Sequence, residues 1–334
     1  MLVDQARRGG EESESVAQAN PPIQQRVGFQ TPTIKQRMAE TWKQVKKHKA
    51  GYLFLAPFMV LFIVFTVGPV LTAIYLSFTY FNVLQPPNWI GLTNYRLLFL
   101  EDDIFLKSLH VTVVFAILTG PVGFLLSFIM AWLINQVKVR LLYVVAFYAP
   151  SLSGIGMAQI MRIFFANDRY GYLNNLLIRW GILDEPFPWL ADIDTMLGVV
   201  IAVQLWMSMG PGFLSFLAGL QQIDESLYEA GKVDGVRNRL QELWFITLPL
   251  VRPQLVFGAV MAVVGAFSMF DISVGLVGFP SPQYAAHSIM AHLYDYAFLR
   301  FEMGYASAVS VVMFLMMFLL SSMFRRMLST RGEW

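Results

Sequence analysis

The chain has 334 residues, 56% of them hydrophobic and only 14% charged; a soluble domain carries nearer a quarter charged residues. The lack of cysteine excludes a disulfide framework, a Cys-based zinc site and an iron–sulfur centre. A net charge of +2 is too small to suggest a nucleic-acid partner. Of the four histidines, His48, His110, His287 and His292, only the last two lie close, at a spacing that makes a poor helical metal pair.

Residues 1–33 are rich in Gln, Glu, Pro, Arg and Gly and have almost no apolar pattern, which is the composition of a disordered tail. From Ile34 to Ala50 the chain is basic and sets Met38, Trp42 and Val45 at helical spacing. Two readings stand for this stretch. One is a helix on the anionic inner leaflet; the other is a solvated tail whose charges fix topology.

Six runs then reach the roughly 20 apolar residues needed to cross a bilayer as a helix. The first extends from Gly51 to about Phe81. It follows some fifty polar residues and exceeds an h-region of about 7–15 residues, so it is expected to be a span and not a cleaved signal. The second covers Ser108 to Asn135, the third lies between Arg140 and Arg162, and the fourth between Asp194 and Asp224. The fifth covers Leu255 to Phe279, interrupted only by Asp271, and the sixth runs from Gly304 to Phe324. None shows the alternation of a barrel strand, so the fold class is all-α, a polytopic membrane protein with six transmembrane helices.

With the N-terminus placed in the cytoplasm, the inner segments hold 18 of the 24 Lys and Arg residues. By the positive-inside rule both termini are then cytoplasmic, in a multi-pass protein of the plasma membrane. The expected organisation is a basic tail over 1–50, a transmembrane domain over 51–326 and a cytoplasmic tail over 327–334.

The inner loop from Gln221 to Leu255 is long and patterned. Asp224 or Ser226 can cap a helix, with Glu229 three residues after Ser226 as in a capping box. Gly235 ends that helix, because glycine adopts the left-handed conformation at little cost. Leu240, Leu243 and Trp244 mark a second amphipathic segment, closed by Leu248–Pro249 and Arg252–Pro253. Such a helix–Gly–helix hook suits a groove on a soluble partner, although a merely structured loop has the same pattern.

Tyr228-Glu229-Ala230-Gly231, then Asp234-Gly235, then Ile246-Thr247-Leu248-Pro249 resembles the EAA loop of binding-protein-dependent ABC importer permeases. The resemblance is to the maltose-type sugar permeases in particular. It extends to Phe78-Thr79, to Trp89-Ile90-Gly91-Leu92-Thr93-Asn94-Tyr95, to Ala218-Gly219-Leu220-Gln221 and to Gly304-Tyr305-Ala306-Ser307-Ala308. Two features depart from the family pattern: Gly231 stands where alanine is usual, and the stretch from Gly235 to Ile246 is one residue longer.

The resemblance implies a complex of this permease, a second homologous permease, two ATPase subunits inside and a solute-binding protein outside. No GxxxxGK[ST] phosphate loop occurs in this chain, so ATP and Mg are expected in the partner ATPase, with no cofactor and no enzymatic activity here. By family position Glu229 makes polar contacts in the ATPase groove or braces the hook, Gly235 forms the turn, and Leu248 and Pro249 set the exit into the fifth span.

Candidates for the sugar path are Asp271, an acid within a span, and Gln159, Gln204, Trp206, Tyr148 and Ser153. Rings stack on sugar faces and amides bond hydroxyls, but the same groups serve helix packing. Gly68-Pro69, Gly120-Pro121 and Gly210-Pro211 interrupt three spans as flex points. The alternatives are a permease for a non-sugar solute and an ATP-independent secondary transporter. The latter predicts inverted repeats and several buried charges, and the sequence shows no clear repeat.

Overall fold

The computed structural model describes residues 47–267 and 269–328. The basic segment expected to lie on the membrane falls almost wholly outside them. The chain divides at Val67 into two units. In the first, the described part is helix α1 (Lys49–Phe62), continued by a π-helical turn over Ile63–Val67. Its side chains are exposed almost throughout.

The second unit opens with α2 (Gly68–Leu76) and β1 (Thr79–Tyr80), which pairs antiparallel with β2 (Asn88–Trp89). The first span therefore leaves its helix at Leu76, short of the expected Phe81. Asn94, in α3 (Thr93–Leu100), is the cause. Its buried amide donates to Ser77 O and Thr79 O, both at 2.9 Å, and so satisfies carbonyls freed at the helix end. Tyr95 adds a bond from its hydroxyl to Ser77 Oγ at 2.8 Å.

The long helices follow: α4 (Asp103–Asn135), the pair α5 (Arg140–Leu152) and α6 (Ile155–Phe164), then α7 (Tyr172–Arg179), α8 (Ile193–Trp206) and α9 (Pro211–Gln221). After the loop come α13 (Arg252–Phe267), α14 (Phe270–Val277), α15 (Ile289–Tyr294) and α16 (Met303–Leu328). Among the described residues five stretches are long and apolar enough to cross a membrane, and six if α5 and α6 form one broken span.

That last point corrects the expectation of a plain third span. Its two halves meet at 95°, with Pro150 in the last turn of α5 and Gly154 at φ +50°, ψ −126° between them. Only glycine adopts this conformation readily. The second half, α6, packs on α14 through small residues: a Cβ on Gly275 would sit 2.6 Å from that of Ala158.

α4 is the hub and packs against α8, α9 and α13. Thr119, Gly123 and Ser127 recur at i, i+4, i+8 along it and are all buried. In a bilayer small side chains let helices approach and form hydrogen bonds: Ser127 Oγ donates to Ser208 O at 3.0 Å. Phe128, Phe213 and Phe216 fill the space around this crossing.

At the end where α4 and α16 begin, Asp102 gathers four groups. Its Oδ1 accepts from Phe105 N (2.8 Å) and caps α4. Its Oδ2 accepts from Tyr305 OH (2.7 Å) and Tyr296 OH (3.2 Å), and His292 Nε2 lies 3.2 Å away. Arg300 pairs with Asp295 at 2.7 Å and stacks over the Tyr296 ring.

Gly304, one residue before Tyr305, has its N–H bonded to Phe81 O at 3.0 Å. A Cβ there would collide with the Thr79 carbonyl. Gly304→Ala is therefore expected to destabilise by about 1–3 kcal/mol, the usual cost of overpacking, read as a lowered Tm of the detergent-solubilised protein. An unchanged Tm would show that the β1–α16 contact is dispensable.

Candidate functional site

Two regions gather the chemistry: the loop between α9 and α13, and a cavity where the second, fourth and fifth spans cross.

The loop begins with α10 (Glu225–Val233). Asp224 caps it, its Oδ1 accepting from Ser226 N at 2.9 Å. The capping box expected from Ser226 and Glu229 does not form, because Ser226 is already inside the helix. α10 ends in a Schellman motif: Val236 N bonds Gly231 O (2.9 Å), Gly235 N bonds Lys232 O (3.2 Å), and Gly235 takes φ +96°. Asn238 then caps α11 (Arg239–Glu242), accepting from Gln241 N at 2.8 Å, while Gln241 Oε1 accepts from Arg237 N at 2.7 Å.

The next turn, Leu243–Thr247, is π-helical and leads through α12 (Leu248–Leu250) into α13. A π-turn takes in one extra residue without breaking the helix, and this one falls at the end of the stretch expected to be longer than the family pattern. Thr247 holds it in place. Its buried hydroxyl donates to Glu242 O (3.2 Å) and is bonded to Tyr228 OH (3.0 Å), which ties α10 to the segment entering α13.

The second departure also has a local reason. A Cβ on Gly231 would lie 2.6 Å from Ile246 Cδ1, so glycine lets the two limbs of the hook close on each other. Glu229, Ala230, Asp234, Gly235 and Pro249 are exposed, whereas Tyr228 and Leu248 are half-buried. Leu240, Trp244 and Phe245 are exposed as well, at 67–69%. Behind the hook lies a polar groove of about 530 Å³ lined by Asn135, Gln136, Arg140, Glu229, Lys232 and Glu242, among others.

The cavity measures about 250 Å³. Thr119, Ser127, Ser151, Gln204 and Ser208 supply its polar atoms, and Phe124 and Phe216 its rings. Gly258 lets the Phe216 ring pack directly against α13, since a Cβ there would fall on that ring. Gln204 Oε1 is buried and has no hydrogen-bond partner among the described residues. No Lys, Arg, Asp or Glu lines the cavity.

Of the candidate path residues, only Gln204 reaches this cavity. Tyr148 packs into the core beside it, and its carbonyl accepts from Ser151 Oγ at 2.8 Å. Ser153 sits at the α5–α6 break and bonds back to Ala149 O. Gln159 and Trp206 are exposed elsewhere on their helices. Asp271, expected to be a buried acid, is exposed in the first turn of α14. Single-residue polarity missed the serines and glycines. The signal was the small-residue stripe of α4, whose spacing could have located the crossing.

Known proteins share this architecture. A family model described as the binding-protein-dependent transport system inner membrane component matches residues 123–331. The probable ABC transporter permease protein YesP of Bacillus subtilis (strain 168) is 38% identical over 276 residues, covering 80% of this chain and 86% of that protein. The lactose transport system permease protein LacF of Rhizobium radiobacter is 31% identical, covering 81% and 91%. The arabinooligosaccharides transport system permease protein AraP of Bacillus subtilis (strain 168) is 29% identical, covering 84% and 89%. The fold matches a crystal structure of a bacterial ABC transporter involved in import of the acidic polysaccharide alginate, with TM-score 0.70, 22% identity, and 86% of this chain and 98% of that chain covered. The chain is a multi-pass membrane protein and a transport component, not an enzyme, and it belongs to the family of binding-protein-dependent transport system inner membrane components.

Proposed function

We propose that this chain is one permease of an ATP-driven importer for a neutral sugar or oligosaccharide. The observation that carries the reading is the cavity at the span crossing. It is uncharged, lined by hydroxyls and rings, and holds a buried amide oxygen with no partner among the described residues. A sugar hydroxyl is the donor such an oxygen needs, and a neutral polyhydroxyl solute requires no counter-ion there. Relatives named for lactose and arabinooligosaccharides agree with this. Another is named for sn-glycerol-3-phosphate; a phosphorylated solute calls for cations, and this cavity offers none. At about 250 Å³ the cavity is smaller than most small-molecule sites, roughly 300–1,000 Å³, so the second permease is expected to complete it.

In this reading both termini and the hook from Gln221 to Leu255 face the cytoplasm, the basic tail over 1–50 and the tail over 327–334 flanking the transmembrane domain. The exposed Glu229, Ala230, Asp234 and Gly235 meet an ATPase subunit, which binds ATP and Mg. A solute-binding protein delivers the sugar from outside. ATP closes two ATPase subunits, the hooks carry that closure into the spans, and the broken span α5–α6 lets its outer half swing. This is rigid-body switching of packed helices.

The test is uptake by the reconstituted complex. Gln204→Leu is expected to lower sugar uptake about tenfold, the cost of about 1.4 kcal/mol for one lost hydrogen bond to solute, with complex assembly unchanged. Unchanged uptake in Gln204→Leu, or a glycerol phosphate competing better than neutral sugars, would overturn the assignment.

A further inference from the structure

A second cavity, of about 420 Å³, opens on the side of the bundle where α4, α13 and α16 meet. Val113, Ala116 and Gly120 of α4 form one wall, Ala266 and Phe267 of α13 the floor, and α16 from Met316 to Phe324 the other wall. No charged or hydrogen-bonding side chain lines it. It is concave because the α4 wall is built from small residues: a Cβ on Gly120 would only just touch Ala266, at 3.9 Å.

This groove does not end blindly. Leu319 and Met323 also line a neighbouring groove along α16 that contains Ser322, Arg325 and Arg326. Leu319, Met323 and Arg326 follow one another at i, i+4 and i+7, so a single helical face carries the apolar wall into the guanidinium. From Met316 to Arg326 the helix rises roughly 15 Å at about 1.5 Å per residue. That is half of a hydrocarbon core of about 30 Å, or one leaflet.

We propose that this groove is a phospholipid site: one acyl chain lies along Met316–Phe324 against α4 and α13, and an anionic phosphate is bound at the Arg325–Arg326 end. The shape selects a flexible hydrocarbon chain, because the lining offers nothing to a polar group. The charge selects the headgroup, because arginine pairs with phosphate oxygens in a fork. The length matches one lipid tail and not a full span of another protein. Because its lining shares only Ala266 with the cavity holding Gln204 and none of that cavity's polar groups, it is independent of the assignment of solute. A tail seated between α4, α13 and α16 would couple the lipid to the helices that converge on the transport cavity.

The test uses the whole complex in vesicles of phosphatidylcholine with photoactivatable phosphatidylglycerol, the label at the acyl end, and maps cross-links by mass spectrometry. Labelling is expected to concentrate on Met316, Leu320 and the facing residues of α4. Ala116→Leu and Ala116→Phe, which fill the groove, should each lower it. Arg326→Gln should reduce the preference for phosphatidylglycerol over phosphatidylcholine about fivefold, as loss of one cation near an anionic headgroup implies. Both expectations are read on variants whose assembly is verified by co-purification. Labelling indifferent to groove-filling, or an anionic preference unchanged in Arg326→Gln, overturns the site. The chain has no cysteine, so Leu320→Cys gives a single thiol. Its cross-linking to another subunit would show that a protein helix covers the groove, and would equally overturn it.

Discussion

Gly235→Asp is expected to uncouple the transporter: the complex assembles, but solute-stimulated ATP hydrolysis and uptake fall about tenfold. Gly235 takes φ +96° at the end of α10, a conformation that costs a residue with a Cβ about 1–3 kcal/mol. A Cβ there meets nothing within the chain, so the strain is local and the spans should fold normally. What changes is the angle at which α10 and α11 leave the turn, and with it the fit of the exposed hook in the ATPase subunit proposed to meet it. Gly231→Ala is the control. Its Cβ meets only the flexible tip of Ile246, which can turn aside, so this variant is expected to keep coupling within about threefold, a cost below ~1 kcal/mol. The measurements are solute-stimulated ATP hydrolysis and solute uptake, each made in proteoliposomes. Normal coupling in Gly235→Asp would mean that the turn is not the transmitting element.

Asp102→Ala should cause the largest loss of stability, about 2–4 kcal/mol. It removes the cap of the 33-residue helix α4, worth about 1 kcal/mol. It also leaves the Tyr305, Tyr296 and His292 groups facing an emptied site, at about 1–3 kcal/mol for unmet buried donors. Burial works against the charged carboxylate, but the His292 and Tyr305 groups and the Phe105 N–H outweigh it and hold Asp102 well below its ordinary value of 3.8. The sign follows from a depressed folded pKa. The contribution is complete above pH 3.8 and is lost as pH falls below it. Nearby, burial pushes His287 down to about 4 from 6.5, so a further loss accumulates between those values as the pH falls. Melting curves of the wild type and Asp102→Asn should therefore differ most above pH 4 and converge in stronger acid. A constant difference across that range would place the stabilisation elsewhere.

Hydropathy alone located the five continuous candidate spans and the apolar run that forms the bent pair α5–α6, because a helix in hydrocarbon must carry an apolar side chain at nearly every position. The spacing around Gly235 located the turn of the hook, because few residues other than glycine accept a positive φ. The break of the third span was less legible. Gly154 and Pro150 are visible as residues, but a bend of 95° arises only when α6 has α14 to pack against. Asp102 looked like one of three loop acids, Glu101, Asp102 and Asp103. Its partners lie some 190 to 200 positions away, and nothing local to the sequence joins them. Asp271 shows the opposite error. A charge inside an apolar run reads as buried, yet the face it occupies is open in this chain.

The sequence by itself thus determined a helical multi-pass membrane protein and the place of its long loop, since these depend on short-range composition and local backbone preference. Only the tertiary structure decided which residues share a cavity. Gln204 is brought to Ser127, Ser151 and Ser208 by the crossing of α4, α8 and α9, which in turn rests on the small residues of α4. The tertiary structure also placed Thr247, at the end of the π-turn Leu243–Thr247, against Tyr228 across the hook. Contacts between residues far apart in the chain depend on how helices approach one another, and that approach is a property of whole packed faces.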